Sequence, residues 1–311
     1  MKKLKYQGGL TKHLTTRRAL RNRTKFSKLI NDNGYLKVLA NKIQSDKPFS
    51  AEVASFSSSR DFIDQVLSIL SFLKYVGSPS RWTLYSDGSH SEQEVRLISE
   101  SFDFLEFRLV NLDDPGLEVK ANLLEHRDSL IHYAKSHPLG KKLFFYLNHP
   151  VGSPTIFLDS DILFYSRASI MHNLIKENVD GFFLPEDAWG CLDSRYRALN
   201  GEQLYQVNAG FFLLNHEISE IREGLNFLDS LNSQYEYFSE QTVFHILFRA
   251  NSFLPLDPRI FVLNSSDQFD FSYMYNRESI AARHYTGPVR HKMWQRDWDW
   301  HLSAESLKVS G

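Results

Sequence analysis

The chain has 311 residues, 42% apolar and 23% charged, with a net charge of −1, an ordinary globular composition with ample core for one large domain or two small ones. Cys191 is its single cysteine, which excludes an internal disulfide and suits a reducing cytosol. No apolar run approaches the ~20 residues of a membrane span, and the N-terminus lacks the apolar core of a secretory signal.

The charge is uneven. Residues Met1 to Lys47 hold nine Lys and four Arg against two Asp, or +11, which leaves −12 on the remainder. Residues Thr11 to Asn41 read as a helix broken near Asn33-Gly34 and docked by Leu14, Leu20, Phe26, Leu29 and Ile30. Such a basic segment also suits the surface of an anionic membrane, and an Arg-rich transit peptide shares its composition. Nucleic acid is the least expected partner.

Beyond Pro48 the elements alternate. Strands are expected over Ala51–Phe56, Trp82–Ser86 and Phe104–Val110. Helices are expected over Arg60–Tyr75, Glu92–Phe102 and Glu118–Ser136, the last stopped by Pro138-Leu139-Gly140, with a short helical segment over Lys141–Leu147. The β-α-β-α-β-α-β order argues for a parallel sheet with helices on both faces. No Gly-x-Gly-x-x-Gly follows the first strand, so the dinucleotide fingerprint is absent.

Next comes Thr155–Tyr165, an apolar strand interrupted by Asp159-Ser160-Asp161. Two acids inside a buried run are costly unless something positive compensates, and a divalent cation is the simplest compensation. The carboxyl end of a strand in an open α/β sheet is also where ligands gather. Further on, Ser169–Glu177 is expected to be helical, Gly181–Leu184 a strand, and Gln206–Asn215 a strand whose Gly210 permits close approach of a ligand or backbone. Helices follow over Ile218–Leu231 and Ser239–Phe248, with Ser239 as N-cap, then short strands over Leu254–Leu263. The segment from His284 to Trp294 is basic and pivots at Gly287-Pro288.

Four stretches in this order resemble the GT-A glycosyltransferases, most of all the retaining, glycogenin-like and galactosyl-transferring branch known as family 8. They are the Leu-Asp-Ser-Asp-Ile-Leu strand, the Asn208-Ala209-Gly210 strand, the Glu240-Gln241 helix start, and the final His284-x-x-Gly287 with a basic residue and Trp294. The resemblance spans roughly Ala51 to Trp294. It implies a Rossmann-like GT-A domain over residues 48–311, with a mostly parallel central sheet; residues 1–47 are read from their own charge and spacing as a basic helical extension in front of it. It implies a UDP-sugar donor, an acceptor that is a carbohydrate, lipid or protein, and transfer with retention. Asp159, Asp161 and His284 would then hold Mn²⁺ or Mg²⁺, the imidazole favouring Mn²⁺.

On the same resemblance, Ser55, Lys142, Ser160, Asn208, Gly210 and Gly287 belong to the donor site. Glu240, Gln241, Glu186 and Asp187 are the candidates beside the reacting sugar carbon. Where the family pattern often carries a second Asp after the Gln, this chain has Thr242. The pattern's Lys lies three residues after the Gly and two before the Trp; here the first spacing gives Arg290 and the second Lys292. Two other readings stand beside this one. A nucleotidyltransferase making nucleotide sugars needs a Gly-rich phosphate loop after the first strand, where Ala54–Arg60 has serines. A non-catalytic nucleotide-sugar-binding module shares the fold without the chemistry. The expected location is the cytoplasm, with peripheral contact to the inner face of a membrane through the basic N-terminus.

Overall fold

The computed structural model describes residues 9–302 except 33, 45–46, 187, 202–203, 264–275 and 288. Asp187 and Pro288, both singled out above, therefore lie outside the described residues. The strands are β1 Pro48–Ser57, β2 Ser78–Ser86, β3 Leu105–Leu109, β4 Thr155–Asp159, β5 Ile162–Phe164, β6 Gly181–Pro185, β7 Val207–Leu214, β8 Phe253–Pro255, β9 Phe261–Val262 and β10 Ala282–His284.

Seven of them form one sheet in the order β3-β2-β1-β4-β7-β6-β8. β1, β2, β3 and β4 are mutually parallel, and β7 runs antiparallel to β4 and β6. The expected mostly parallel α/β sheet is present. Its strands are apolar on both faces because both faces are covered. Val53, Ile156 and Leu158 pack with the helix Phe62–Tyr75, while Ala54, Phe157 and Phe212 pack with the helices Arg127–Ser136, Pro138–Asn148 and Ser239–Ala250. Trp82 sits in the first core and donates its indole N–H to Ser55 Oγ at 2.8 Å.

The connections position the site. After β3 the chain returns to the far side of β1 to make β4, so the sheet has a switch point between β1 and β4. The acid-interrupted strand is two strands in two sheets. β4 ends at Asp159, and β5 leaves for a three-stranded sheet in the order β5-β10-β9. Ser160 and Asp161 are the corner between them, and both are buried.

Several elements differ from expectation. Residues 118–136 are not one helix but a 3-10 segment, Ala121–His126, followed by the α-helix Arg127–Ser136. Pro138 opens the next helix instead of only stopping the last one, at a first-turn position where its missing N–H costs nothing. Gly140 lets these two helices cross closely, since a Cβ there would lie 2.7 Å from Tyr133 Cγ and closer still to its carbonyl. Ser239 is the first residue of its helix, not the cap, and its hydroxyl donates to Asp193 Oδ2 at 2.7 Å. The helix Ser194–Asn200 was not expected at all.

The N-terminal basic segment forms the helices Gly9–Ile30 and Tyr35–Ile43, and the first docks on the C-terminal segment. Phe26 meets Trp294 with ring centroids 5.5 Å apart, and Arg23 pairs with Asp64 at 2.9 Å. The docking residues are Ala19, Phe26 and Ile30; Leu14, Leu20 and Leu29 remain on the outside. Among the described residues no helix is long and apolar enough to cross a membrane.

Candidate active site

Asp159, Ser160 and Asp161 turn the corner at the switch point, where β4 ends beside β1 with Phe56 opposite Asp159. Strand register delivers the third member. β10 pairs antiparallel with β5 so that His284 stands opposite Ile162, and Tyr285 N donates to Asp161 O at 2.9 Å to extend the ladder. A histidine more than 120 residues away in sequence is thus set beside the two acids. Ligand atoms of Asp159, Asp161 and His284 all lie within 4.8 Å of one another.

The histidine is oriented from behind. Asn208 Oδ1 accepts from Gly210 N at 3.0 Å and from His284 Nδ1 at 2.9 Å, while Asn208 Nδ2 donates to Glu186 Oε2 at 2.9 Å. The Nδ1 proton is committed to Asn208, so Nε2 faces the acids, 3.2 Å from Asp161 Oδ1 and 3.8 Å from Asp159 Oδ2. Metal-ligating histidines are held by an oxygen acceptor on the remote ring nitrogen, and the Asn208 carboxamide oxygen fills that place here. Asp161 Oδ1 is buried and receives no hydrogen bond. That orphaned oxygen, a bare or exchangeable Nε2 and a second carboxylate fit a divalent cation. Burial opposes a charge on His284, but Asp161 and Asp159 raise its pKa, and the same field would favour a cation in place of the proton.

Gly210 is required by this arrangement. A Cβ at that position would lie 2.7 Å from His284 Nδ1, closer to Cε1, and 2.9 Å from Asn208 Oδ1. The pairing of β6 with β7 is irregular across the same stretch, between Phe183 and Leu184.

Two cations complete the charge balance. Arg290 donates to Asp161 Oδ2 and, at 2.8 Å, to Asp61 Oδ1. Burial would raise the Asp161 pKa, but Arg290 and His284 hold the carboxyl well below its usual range. On the other side Lys142, buried on the helix Pro138–Asn148, lies 2.7 Å from Asp159 Oδ1 and 3.3 Å from Glu240 Oε1. Its own pKa is raised: burial works against the charge, and Asp159 and Glu240 outweigh it.

Glu240 is itself buried, which pushes its carboxyl up to about 7 despite Lys142. Its proton is held in the folded protein up to that pH but leaves the unfolded chain near 4.5. The stability contributed by neutral Glu240 is therefore complete at acid pH and lost as pH rises through about 7. Glu240→Gln in metal-free protein should gain about 2–3 kcal/mol relative to wild type between about pH 5 and pH 8. Urea unfolding of both proteins at the two pH values measures it; an equal difference at both would show that Glu240 does not titrate there.

These groups line a cleft of about 380 Å³. Of the residues singled out from sequence, Lys142, Asp159, Asp161, Glu186, Asn208, Gly210, Glu240, Gln241, His284, Gly287 and Arg290 line it. Ser55, Ser160 and Lys292 do not: Ser55 braces Trp82, Ser160 is buried in the corner, and Lys292 is buried in the short helix Arg290–Lys292. The spacing ambiguity between Arg290 and Lys292 thus becomes a geometric difference, with Arg290 at the cleft. Gln241 is tied at both ends of its amide, accepting from Ala209 N at 3.4 Å and donating to Cys191 O at 2.7 Å.

Sequence reasoning missed Asp61, Asp64 and Tyr237. Asp61 follows the serines at the end of β1 and anchors Arg290; its place at a strand end beside the switch point was the available signal. Asp64 is buried and receives both Arg23 and, at 2.6 Å, Trp294 Nε1. Tyr237 lines the cleft from a loop with no periodicity to mark it.

Solved structures share this architecture. The galactosyltransferase LgtC, in complex with donor and acceptor sugar analogs, matches with a TM-score of 0.51 at 15% identity, over 84% of this chain and 95% of that one. Mouse xyloside xylosyltransferase 1 in its apo form matches at 0.51 and 14%, over 78% and 99%. The bifunctional glycosyltransferase WbbM matches at 0.52 and 12%, over 83% of this chain and 52% of that one. The protein has the GT-A fold. No protein-family model matches the chain, and no curated protein matches it. At these identities the GT-A likeness carries the fold, and the chemistry must be argued from the cleft.

Proposed function

We propose that the protein is a metal-dependent glycosyltransferase that moves a sugar from a UDP-sugar to a carbohydrate, lipid or protein acceptor with retention, in the manner of family 8. The observation that carries this reading is the Asp159, Asp161 and His284 cluster at the switch point of a GT-A sheet, with an oriented imidazole and an unsatisfied buried carboxylate oxygen. Those three residues would hold Mn²⁺ or Mg²⁺, which when bound offsets charge on a diphosphate. A mixed nitrogen and oxygen donor set favours Mn²⁺.

The remaining roles belong to the chain's own groups. Arg290 is the cation placed to take the diphosphate, since it lines the cleft and already grips an anion at Asp161. Its guanidinium would stabilise charge on the departing diphosphate as the bond from sugar carbon to diphosphate oxygen breaks. The acceptor hydroxyl oxygen forms the new bond to the same carbon, and its proton passes to a diphosphate oxygen. Glu186, fixed by Asn208, and Gln241, fixed by Ala209 and Cys191, offer oxygens beside the electron-poor sugar carbon. Lys142 keeps Asp159 and Glu240 together without excess negative charge.

The test is UDP or GDP release from a panel of nucleotide sugars, with Mn²⁺, Mg²⁺ or chelator, alongside thermal melting in the same mixtures. Slow donor hydrolysis that requires metal is expected. A donor that raises the melting temperature only with metal but is never turned over would leave a binding module. Neither effect with any donor would remove the reading.

A further inference from the structure

Independently of the chemistry in the cleft, we propose that the outer face of the helix Gly9–Ile30 is a docking surface for an anionic lipid bilayer. The face is built by spacing. Leu14, Arg17, Arg18, Arg21, Lys25 and Lys28 recur at three- and four-residue intervals and are all exposed, opposite the buried Ala19, Phe26 and Ile30. The helix contains no Asp or Glu. Among the described residues none of Arg17, Arg18, Arg21, Lys25 and Lys28 has an ion-pair partner, although the chain beyond residue 47 carries −12. Five uncompensated cations on about three turns repel one another, and an external anion relieves that repulsion.

The apolar members decide what kind of anion. Leu14 is 54% and Leu20 59% exposed, and Leu20 shares a shallow depression with Arg17, Arg21, Thr24, Lys25 and Lys28. Leucines set among cations on a surface-lying helix are placed to enter the acyl boundary while the cations meet headgroup phosphates. A nucleic acid backbone would use the cations but has nothing to receive the leucines, and among the described residues the helix exposes no Phe, Tyr or Trp ring on which a base could stack. The acidic remainder of the chain would orient the molecule with this helix toward the negative surface. The helix is joined to the cleft as well: Asn22 Nδ2 donates to Trp294 O at 2.9 Å, and Arg23 and Trp294 share Asp64. Arg290 lies on the same segment as Trp294, so the bilayer face and the cleft's cationic loop are neighbours.

The experiment is sedimentation of the full-length protein with phosphatidylcholine vesicles, with and without phosphatidylglycerol, over a salt series. Binding is expected only with phosphatidylglycerol and should weaken as salt rises. Each cation replaced by Gln should lower partitioning about fivefold, the equivalent of ~1 kcal/mol, so Arg17→Gln with Arg21→Gln and Lys25→Gln should lower it about a hundredfold. Leu14→Ser with Leu20→Ser should weaken binding while leaving its salt dependence unchanged. All of these residues are exposed, so melting temperatures should not fall below wild type, and removing three mutually repelling cations can only raise that of the triple variant. Equal binding to both vesicle types, salt-independent binding, or a triple variant that binds like wild type would overturn the proposal. Retention of an RNA oligonucleotide by the same three cations, with the vesicles ignored, would overturn it in favour of nucleic acid.

Discussion

Asp161→Asn is expected to lower sugar transfer by at least ~10³-fold and to abolish tight Mn²⁺ binding while the protein still folds. The substitution keeps the shape of the side chain and removes its charge. Asp161 Oδ1, the buried oxygen without a hydrogen-bond donor, is the atom a cation would take, and Oδ2 is already held by Arg290. An asparagine must present its NH₂ either to the cation or to the guanidinium, and both encounters are repulsive. Stability should fall but not collapse. Because Arg290 and His284 depress the Asp161 pKa, ionised Asp161 contributes stability above the ordinary carboxylate range, and that contribution is lost as pH falls through its depressed value. Arg290 keeps Asp61 at 2.8 Å in the variant, so the guanidinium is not stranded. A loss of about 1–3 kcal/mol near neutral pH is expected, within the stability of an ordinary domain. Calorimetric Mn²⁺ titration, donor hydrolysis and urea unfolding of the same preparation check the three parts. Mn²⁺ binding at wild-type strength would place the cation elsewhere.

Much of this site was legible in the chain, and what was not has identifiable causes. Asp159 and Asp161 stood out because acids inside an apolar run are costly, and the reason proved to be a corner between two sheets. Sequence periodicity reads Thr155–Tyr165 as one strand, because a buried corner of two residues leaves the apolar pattern on either side unchanged. His284 was reached through resemblance alone; what places it is the antiparallel register of β10 on β5, a long-range pairing with no local signal. The Glu186, Asn208 and His284 relay joins three separate segments, so no window of sequence contains it. Lys142 was expected at the donor site, but its burial between Asp159 and Glu240 comes from long-range packing that no local pattern marks. The basic N-terminal helix shows the opposite failure. Leu14, Leu20 and Leu29 fit helical spacing and read as docking residues, yet among the described residues the apolar side chains this helix buries are Ala19, Phe26 and Ile30.

Gly210→Ala should disable the site although the residue carries no chemistry of its own. The added methyl would enter the space of the His284 ring, 2.7 Å from Nδ1, and would press on Asn208 Oδ1 at 2.9 Å. Gly210 is buried in β7, and the atoms that crowd a Cβ there belong to His284 and Asn208. The imidazole is the more mobile partner, and it can yield only by turning away from Asn208 and from the acids. The hydrogen bond that holds its Nδ1 proton is then broken, and Nε2 no longer converges on Asp159 and Asp161. Disturbing an outer partner of a metal ligand costs ~10–100-fold in affinity, and here the ligand itself is also displaced. Mn²⁺ affinity should fall at least that far, toward the level of His284→Ala, and metal-dependent turnover should fall with it. Overpacking by one methyl costs about 1–3 kcal/mol, so the fold should survive with a lowered melting temperature. The comparison with His284→Ala separates position from chemistry. One variant deletes the imidazole and leaves space, and the other keeps the imidazole and takes its space. Wild-type Mn²⁺ affinity in Gly210→Ala, alongside its loss in His284→Ala, would mean that the ring binds metal from a different orientation than the one Asn208 holds.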